Sequence, residues 1–270
     1  MRGVGLRSGP VETVRGVDVL GVRVDDVTYP EALALLRTAI DHRTVHTVYT
    51  PNPEFVMLAR ADPAFRATLN RAALNIPDGV GLLLAARLAG DRLRQHVQGT
   101  DLVHLLAADS AARGERWFLL GGRDDVARRA AHVLARTYPG LEIAGAAPGS
   151  PRAEDDAATR ALIQQAGRVD VLLVAYGAPR QEQWLDRNLA ALGIPVGIGV
   201  GGVFNYLSGD VPRAPAWLRR LHGEWLHRLL VQPWRWRRQL ALPRFAVLAL
   251  SHAARRRWHP PTAGPAAHRP

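Results

Sequence analysis

Residues 169–175 read VDVLLVA, a nearly continuous apolar run that ends in the turn sequence Tyr176-Gly177-Ala178-Pro179. Such a run is typical of a strand covered by helices on both faces of a parallel sheet. On either side of it, strand patterns alternate with helix patterns over residues 116–202. This β-α-β-α-β-α-β order predicts a Rossmann-like α/β fold, with a mostly parallel sheet, helices on both of its faces and right-handed crossovers.

Upstream, residues 45–81 read VHTVYTPNPEFVMLARADPAFRATLNRAALNIPDGVG. One strand is predicted to end near Thr50 and Asn52, and a second, shorter strand just before Asp78. Because ligands bind at the carboxyl ends of strands in open parallel sheets, these polar residues mark a candidate site. Asp78 could act there as a general base toward a hydroxyl group. The alternative is that Asp78 caps the helix that starts near Gly79.

The predicted α/β domain covers residues 16–211 and follows a flexible leader over residues 1–15. From Arg213 onward the pattern is only helical, with helices expected over about 214–230 and 233–257. We therefore predict a helical C-terminal appendage over residues 212–258 and a Pro-rich disordered tail over 259–270.

The formal charge of +11 lies entirely at this end of the chain. Residues 213–270 contain twelve Arg, a single acid, Glu224, and five of the seven Trp residues. Arg and Trp on apolar helices suit an anionic membrane surface. The same composition suits a nucleic-acid backbone, so a Rossmann-like nucleic-acid-binding protein is the alternative function. A solvated basic tail that uses Trp for packing is a third interpretation.

Several classes of chemistry find no support in the sequence. The chain has no cysteine, which excludes disulfides and thiolate catalysis. No apolar run approaches the ~20 residues of a transmembrane helix, and the N-terminus lacks the apolar segment of a secretory signal. The His residues show no metal-ligand spacing, so no metal is expected. The stretch GIGVGG (197–202) lacks the G-x-G-x-x-G pattern that opens onto a helix, so no nicotinamide cofactor is expected. No G-x-S-x-G motif occurs, which argues against a nucleophilic serine of that type.

Three further turns could contact phosphate or sugar. Gly121-Gly122 and Gly201 each follow a predicted strand, and backbone N–H groups at such turns can cradle a phosphate. Tight turns without a ligand are the alternative for these glycines. Gln181 begins the helix after residues 169–175, where it could hold a base or sugar, or simply start a charged helix.

Six stretches, in this order and spacing, carry a resemblance to a known family. They are TPNPEFVMLAR (50–60), PDGVGLLLAARLAG (77–90), QGTDL (98–102), YGAPRQEQW (176–184), GVGGVFNYLSGDVPRAPAWLRR (199–220) and EWLHRL (224–229). Together they resemble the WecG/TagA/CpsF family of glycosyltransferases, over about residues 17–238.

The resemblance implies transfer of an N-acetylmannosamine-type or related hexose from a UDP donor to a polyprenyl-diphosphate-linked amino sugar. It implies an inverting, metal-independent enzyme of cell-surface polysaccharide or teichoic-acid-type synthesis. Such an enzyme would be cytoplasmic and peripheral at the inner face of the cell membrane. A homo-oligomer is possible, and no nucleic acid is expected as a partner.

The resemblance also assigns roles to residues. Asp78 matches the family's proposed general base, and Thr50, Asn52 and Gln181 match its binding positions. The diphosphate would be held by arginines of the appendage, and the arginines chosen here are Arg213, Arg220 and Arg228.

Three positions depart from the family pattern. His96 stands where the family has Arg, so one diphosphate contact would be weaker or pH-dependent here. Asn205 replaces an Asp and Gln232 replaces a Glu. These departures affect the expected donor sugar more than the expected reaction class.

Overall fold

The structure, a computed structural model, describes residues 14–220 and 223–258. The expected tail over 259–270 lies outside the described residues, as does the expected leader apart from Val14 and Arg15. Within them, the strands are β1 (Gly16–Val19), β2 (Val22–Asp25), β3 (His46–Tyr49), β4 (Leu74–Asn75), β5 (Arg116–Gly121), β6 (Glu142–Ala147), β7 (Val171–Ala175) and β8 (Val196–Gly199).

Helices connect these strands and form the whole C-terminal part of the described chain. They are α1 (Tyr29–Asp41), α2 (Pro53–Ala61), α3 (Pro63–Arg71), α4 (Val80–Leu88), α5 (Gly99–Arg113), α6 (Val126–Thr137), α7 (Asp156–Gln164), α8 (Arg180–Leu192), α9 (Val203–Leu207), α10 (Ala216–Arg220), α11 (Glu224–Val231), α12 (Trp236–Gln239) and α13 (Ala241–Trp258). Short 3-10 turns occupy Ala153–Asp155 and Pro233–Arg235.

Six of the strands form one sheet in the order β4-β3-β8-β7-β5-β6, and every pair in it is parallel. Strands β1 and β2 form a separate antiparallel hairpin. The predicted Rossmann-like α/β class is therefore confirmed. Because the strands are parallel, the segments that follow β3, β4, β7 and β8 all emerge at the same edge of the sheet.

Strand β7 shows why the apolar run at its position predicts a sheet covered on both faces. Val171 and Leu173 belong to the core on one face, and Leu172 and Val174 to the core on the other. All four side chains are fully buried. Alternate residues of a strand point to opposite faces, so a run that is apolar at every position requires a helical layer on each side.

The expectation of two long helices in the appendage is wrong, because the helical segments are shorter and more numerous. Pro233 has no N–H to donate and disfavours helical geometry at Gln232, where α11 ends. Pro243 is tolerated because it lies in the first turn of α13, where no helical N–H partner is needed.

Helix α13 packs against α2 and α4, the two helices that follow β3 and β4. Its buried residues Phe245, Ala249 and Ala253 are spaced four apart and so form one stripe along the helix. This stripe places the appendage beside the carboxyl edge of the sheet. No helix in residues 14–220 or 223–258 combines the length and apolarity needed to cross a bilayer.

Candidate active site

A cavity of about 550 Å³ lies between the carboxyl ends of β3 and β4 and the helices of the appendage. Its volume falls in the range typical of small-molecule sites. The polar and charged side chains that line it are Asn52, Glu54, Asp78, His96, Gln98, Thr100, Tyr206, Glu224, Arg228, Arg235, Arg238 and Gln239. The appendage therefore supplies one wall of the cavity, and strand ends supply another.

Asp78 lies in the turn between β4 and α4, and its carboxylate is held from the segment that leads into α5. Its Oδ2 accepts a hydrogen bond from the Gly99 N–H at 3.3 Å, and its Oδ1 lies 3.6 Å from His96 Nε2. The alternative role as a helix cap is wrong, because Gly79 is the N-cap of α4 and no side chain caps that helix. Gly79 has a φ of 151°, a conformation that favours glycine.

Three carboxylates line the cavity, and two of them are in ion pairs with arginine. Glu54 pairs with Arg238. Glu224 lies 3.5 Å from Arg213 Nε and accepts a hydrogen bond from Gln98 Nε2 at 2.9 Å. Within the described chain, no arginine pairs with the third carboxylate, Asp78. Asp78 is therefore the carboxylate of the three whose oxygens are not engaged by a guanidinium group of the described residues.

The structure brings Asn52 into the cavity beside Asp78 but leaves Thr50 behind it. Asn52 caps α2, because its Oδ1 accepts a hydrogen bond from the Phe55 N–H at 3.1 Å. Thr50 is buried, and its Oγ1 lies 3.5 Å from the Gly199 carbonyl oxygen. It does not line the cavity. Its contacts indicate a role in positioning the turn between β3 and α2.

Gln181 is buried behind the site and joins two loops at the edge of the sheet. Its Oε1 accepts hydrogen bonds from the N–H groups of Gly177 and Gly201, both at 3.0 Å. Its Nε2 donates to Glu182 Oε1 at 2.6 Å. Both Gln181 and the Gly201 N–H are thus engaged within the protein, and this network holds the loops after β7 and β8 together.

Gly121 and Gly122 lie far from Asp78 along the sheet. Gly121 ends β5 and Gly122 follows it, and β5 lies four strand positions from β4, which corresponds to about 19 Å at the usual strand spacing. The Gly122 N–H donates to the Ala175 carbonyl oxygen at 3.2 Å. A Cβ atom at Gly121 would approach the backbone of Ala175 to 2.9 Å. The structure thus accounts for these glycines by close packing of β5 against β7, and neither lines the cavity.

Three arginines of the appendage converge on one wall of the cavity: Arg228, Arg235 and Arg238. The Arg228 guanidinium lies 5.2 Å from the centre of the Tyr206 ring. The Nε atoms of Arg228 and Arg235 are buried without a hydrogen-bond partner among the described residues. Burial, together with repulsion by Arg228 and Arg238, lowers the pKa of Arg235 to about 10. Arg228 and Arg235 are half-buried and Arg238 is exposed. Neighbouring cations of this kind, two of them with an unused Nε donor, are suited to a multiply charged anion.

A family model for the glycosyl transferase WecG/TagA/CpsF family matches residues 17–259. The chain belongs to this family. The glycosyltransferase prediction is thereby confirmed.

Among curated relatives, a Bacillus subtilis (strain 168) protein is 33% identical over 211 residues, which covers 78% of this chain and 81% of that protein. A Staphylococcus aureus (strain MRSA252) protein is 27% identical over 224 residues, covering 82% of this chain and 86% of that protein. Both are named N-acetylglucosaminyldiphosphoundecaprenol N-acetyl-beta-D-mannosaminyltransferase.

In this WecG/TagA/CpsF protein, the three arginines chosen from sequence have different positions. Arg228 lines the cavity, whereas Arg220 is exposed at the end of α10 and does not. Arg213 lies beside the cavity and bonds to Asp101 at 2.6 Å and to Gln98 Oε1 at 3.1 Å. Burial acts to lower the pKa of Arg213, but its bonds with Asp101 and Glu224 outweigh burial and raise it.

Arg235 and Arg238 are the cavity residues that the sequence interpretation missed. They lie in the segment QPWRWRRQ (232–239). Their spacing of three places them on the same side of a helical turn, and seven residues separate Arg228 from Arg235. This periodicity could have identified both residues. It would have required the expectation that α11 and α12 stay on one wall of the cavity despite the break at Pro233.

In the part of the chain that the structure describes, no group of three or more His, Cys, Asp or Glu side chains is arranged to hold a metal ion. Guanidinium groups line the cavity.

Proposed function

We propose that this protein transfers an N-acetylmannosamine-type sugar from a UDP donor to a polyprenyl-diphosphate-linked amino sugar. The proposal rests on a single cavity that combines Asp78, which forms no ion pair with an arginine of the described residues, with three converging arginines. The names of the two relatives support the sugar and the lipid-linked acceptor. The transfer is proposed to serve synthesis of a cell-surface polysaccharide or teichoic-acid-type polymer.

Asp78 is proposed to act as the general base. Its carboxylate takes the proton of the acceptor hydroxyl while that oxygen attacks the anomeric carbon of the donor sugar. The bond between the anomeric carbon and the UDP oxygen breaks, and its electron pair stays with the diphosphate. The names of the relatives specify a β-linked sugar, which requires inversion when the UDP donor is α-linked. One base is sufficient for such a single displacement.

His96 and Gly99 are proposed to position this base. The Gly99 N–H donates to one carboxylate oxygen of Asp78, and His96 Nε2 lies close to the other. Together they restrict rotation of the carboxylate, so that a lone pair stays directed at the cavity. Asn52 lines the same end of the cavity and is proposed to bind the sugar through its amide.

Arg228, Arg235 and Arg238 are proposed to stabilise the diphosphate charge as the bond to the leaving group breaks. Guanidinium groups bind phosphate oxygens in bidentate geometry, and buried cations stabilise developing charge more strongly than exposed ones. We therefore propose that the transfer needs no divalent cation or other cofactor. Activity in EDTA equal to that with Mg²⁺ is expected, and a strict Mg²⁺ requirement would contradict this part of the proposal.

The protein is proposed to act as a peripheral protein at the inner face of the cytoplasmic membrane. Large apolar side chains of the appendage are exposed, with Trp217 at 63%, Leu230 at 71% and Trp234 at 70% exposure. Indole rings are favoured at the headgroup level of a bilayer, and nearby arginines are attracted to anionic lipids. Sedimentation with phosphatidylglycerol vesicles, weakened in a Leu230→Gln/Trp234→Ser variant, would support this; unchanged sedimentation of the variant would not.

The central test is product identification. The protein is incubated with a panel of UDP-sugars and a short-chain N-acetylglucosaminyl lipid diphosphate, and the products are identified by mass and by NMR of the new linkage. We expect one added N-acetylhexosamine in β linkage from UDP-N-acetylmannosamine. No product from any UDP-sugar would refute the proposal.

Asp78→Asn tests the base within the same assay. It keeps the shape of the side chain but removes its basicity, and we expect kcat to fall by at least about 100-fold. Asp41→Asn is the matched control, since Asp41 lies at the opposite edge of the sheet, where α1 ends. Turnover of the Asp78→Asn variant at the rate of the control would remove Asp78 from the mechanism.

A further inference from the structure

Gln98 lies directly before Gly99, the residue whose N–H donates to the Asp78 carboxylate. The side chain of Gln98 reaches the appendage, and its backbone is held by the α/β domain. We propose that Gln98 is a positioning residue, which fixes the Gly99 N–H against Asp78 and couples this contact to the docked position of the appendage. The role of Asp78 as a base rests on the proposed function, whereas the hold of Gln98 on Gly99 rests on contacts within the protein.

The side-chain amide of Gln98 joins two residues of opposite charge from the appendage. Its Oε1 accepts a hydrogen bond from Arg213 Nη2 at 3.1 Å, and its Nε2 donates to Glu224 Oε2 at 2.9 Å. A guanidinium group only donates and a carboxylate only accepts, so these partners fix which end of the amide faces which residue. The amide therefore cannot rotate without breaking two hydrogen bonds to charged groups.

The backbone of Gln98 is also held, at the start of α5. Its N–H donates to the Tyr29 hydroxyl oxygen at 2.8 Å, and its carbonyl oxygen accepts from the Leu102 N–H at 3.0 Å. Burial raises the pKa of Tyr29 to about 12, so this hydroxyl stays neutral at neutral pH. The Gln98 carbonyl and the Gly99 N–H belong to one planar peptide group, so holding the first orients the second.

The stability of α5 alone does not account for a glutamine at this position. Gln98 is the N-cap of α5, yet its side chain makes no capping hydrogen bond. Ser, Thr, Asp and Asn are the residues favoured at an N-cap, because their short side chains reach the free N–H groups of the first turn. The longer side chain of Gln98 instead spans the gap to the appendage, which explains the choice of glutamine.

The contact between Gly99 and Asp78 is sensitive to small movements of this peptide group. Its length of 3.3 Å is already greater than that of most N–H···O hydrogen bonds, so a slight rotation would break it. The chain also passes close to Thr50, since a Cβ atom at Gly99 would lie 2.9 Å from the Thr50 Cγ2. If Gln98 only held the appendage in place, losing its side-chain bonds would leave Gly99 unchanged. The positioning role predicts a change at Gly99 and in kcat.

The Gly99 amide can be observed by itself, because Gln98-Gly99 is the only Gln-Gly pair in the chain. The full chain, labelled with carbonyl-13C glutamine and 15N glycine, gives one carbonyl-to-amide NMR correlation, whose deuterium exchange is followed without substrate. Gln98→Leu removes both side-chain bonds, and Gln164→Leu, at an exposed position of α7, is the matched control. We expect Gly99 to exchange at least about tenfold faster in Gln98→Leu and at the wild-type rate in the control. Unchanged exchange in Gln98→Leu would overturn the proposal.

An exchange of charge keeps the test decisive if leucine is poorly tolerated at this position. Gln98→Glu places a second carboxylate beside Glu224, and the double variant Gln98→Glu/Glu224→Gln restores one carboxylate and one amide that can again bond to each other and to Arg213. We expect the single variant to lose at least about tenfold in kcat, with KM for the UDP-sugar within about twofold of wild type. The double variant should regain most of kcat and slow Gly99 exchange. A double variant no better than the single one would overturn the proposal.

The outcomes separate this inference from the proposed function, because exchange at Gly99 is measured without substrate. Faster exchange in Gln98→Leu with a wild-type kcat would overturn the positioning role. No sugar transfer by the wild-type protein from any UDP-sugar, with the effect on Gly99 exchange intact, would overturn the proposed function alone.

Discussion

Glu182 is a fully buried carboxylate beneath the site, and its replacement by Gln should stabilise the protein at alkaline pH. Its Oε1 accepts a hydrogen bond from Gln181, whereas its Oε2 has no hydrogen-bond partner among the described residues. The space for the carboxylate depends on Gly199, since a Cβ atom there would lie 2.9 Å from Oε1. Burial raises the pKa of Glu182 from 4.5 to about 7.

The size of the effect follows from the difference between the folded and unfolded pKa values. Each pKa unit corresponds to about 1.4 kcal/mol, so the ionised form of Glu182 destabilises the fold by about 3 kcal/mol. The folded state holds its proton more tightly than the unfolded state does. The stability associated with neutral Glu182 is therefore complete below pH 4.5 and is lost as the pH rises through 7.

Urea unfolding of wild type and Glu182→Gln at pH 5 and pH 8.5 measures this difference. Gln is neutral at both values, so the variant should gain about 3 kcal/mol relative to wild type at pH 8.5, and much less at pH 5. Any cost of the new amide group is the same at both pH values and cancels in the comparison. Glu142→Gln, at an exposed position of β6, corrects for the removal of one charge. A Glu182→Gln effect of the same size at pH 5 and pH 8.5 would refute the reasoning.

Three further predictions concern the cavity and the appendage. Gly202→Ala places a methyl group where the Arg228 guanidinium lies, since a Cβ there would be 1.8 Å from Nη2; we expect kcat/KM to fall about tenfold or more, with an unchanged melting temperature. A normal kcat/KM in that variant would exclude Arg228 from the leaving-group site. Asn52→Ala removes the cap of α2 and should lower the free energy of unfolding by about 1 kcal/mol, measured by urea unfolding without ligand. An unchanged urea midpoint would contradict the capping role. Arg213→Met removes the ion pair with Asp101 and should lower the free energy of unfolding by about 2 kcal/mol. Amide exchange should become faster in α10 and α11 than in β7 if this pair holds the appendage against the α/β domain. An equal change in exchange at all three elements would contradict that role.

Parts of the site could be derived from local sequence because they depend on neighbouring residues. The turn Pro77-Asp78-Gly79 follows a strand and needs glycine at a positive φ, which places Asp78 at the edge of a parallel sheet. The sequence left the role of Asp78 open between base and helix cap. The structure excludes the cap, because Gly79 is the N-cap of α4, and it shows Gly99 and His96, about twenty residues later in the chain, beside the Asp78 carboxylate.

Other candidates lie at the carboxyl edge of the sheet, as the sequence predicts, but the contacts that the structure shows for them are within the protein. Gly121 and Gly122 follow a strand as a phosphate-binding turn does, yet the strand order puts β5 four positions from β4. Gln181 lies at the start of a helix at the carboxyl edge of the sheet, and its side-chain amide forms hydrogen bonds with Gly177, Gly201 and Glu182. Strand order and buried hydrogen bonds are set by long-range packing, so a local pattern cannot reveal them.

The sequence by itself determined the α/β class, the edge of the sheet that bears the site and the concentration of positive charge in the C-terminal segment. These properties follow from the spacing of apolar residues and from composition, which can be assessed for each segment without its neighbours. Only the tertiary structure decided which arginines line the same cavity as Asp78. That choice depends on the break at Pro233 and on the stripe of α13 that packs against α2 and α4. Together they place Arg228, Arg235 and Arg238 in the cavity that Asp78 also lines, more than 100 residues away in the chain.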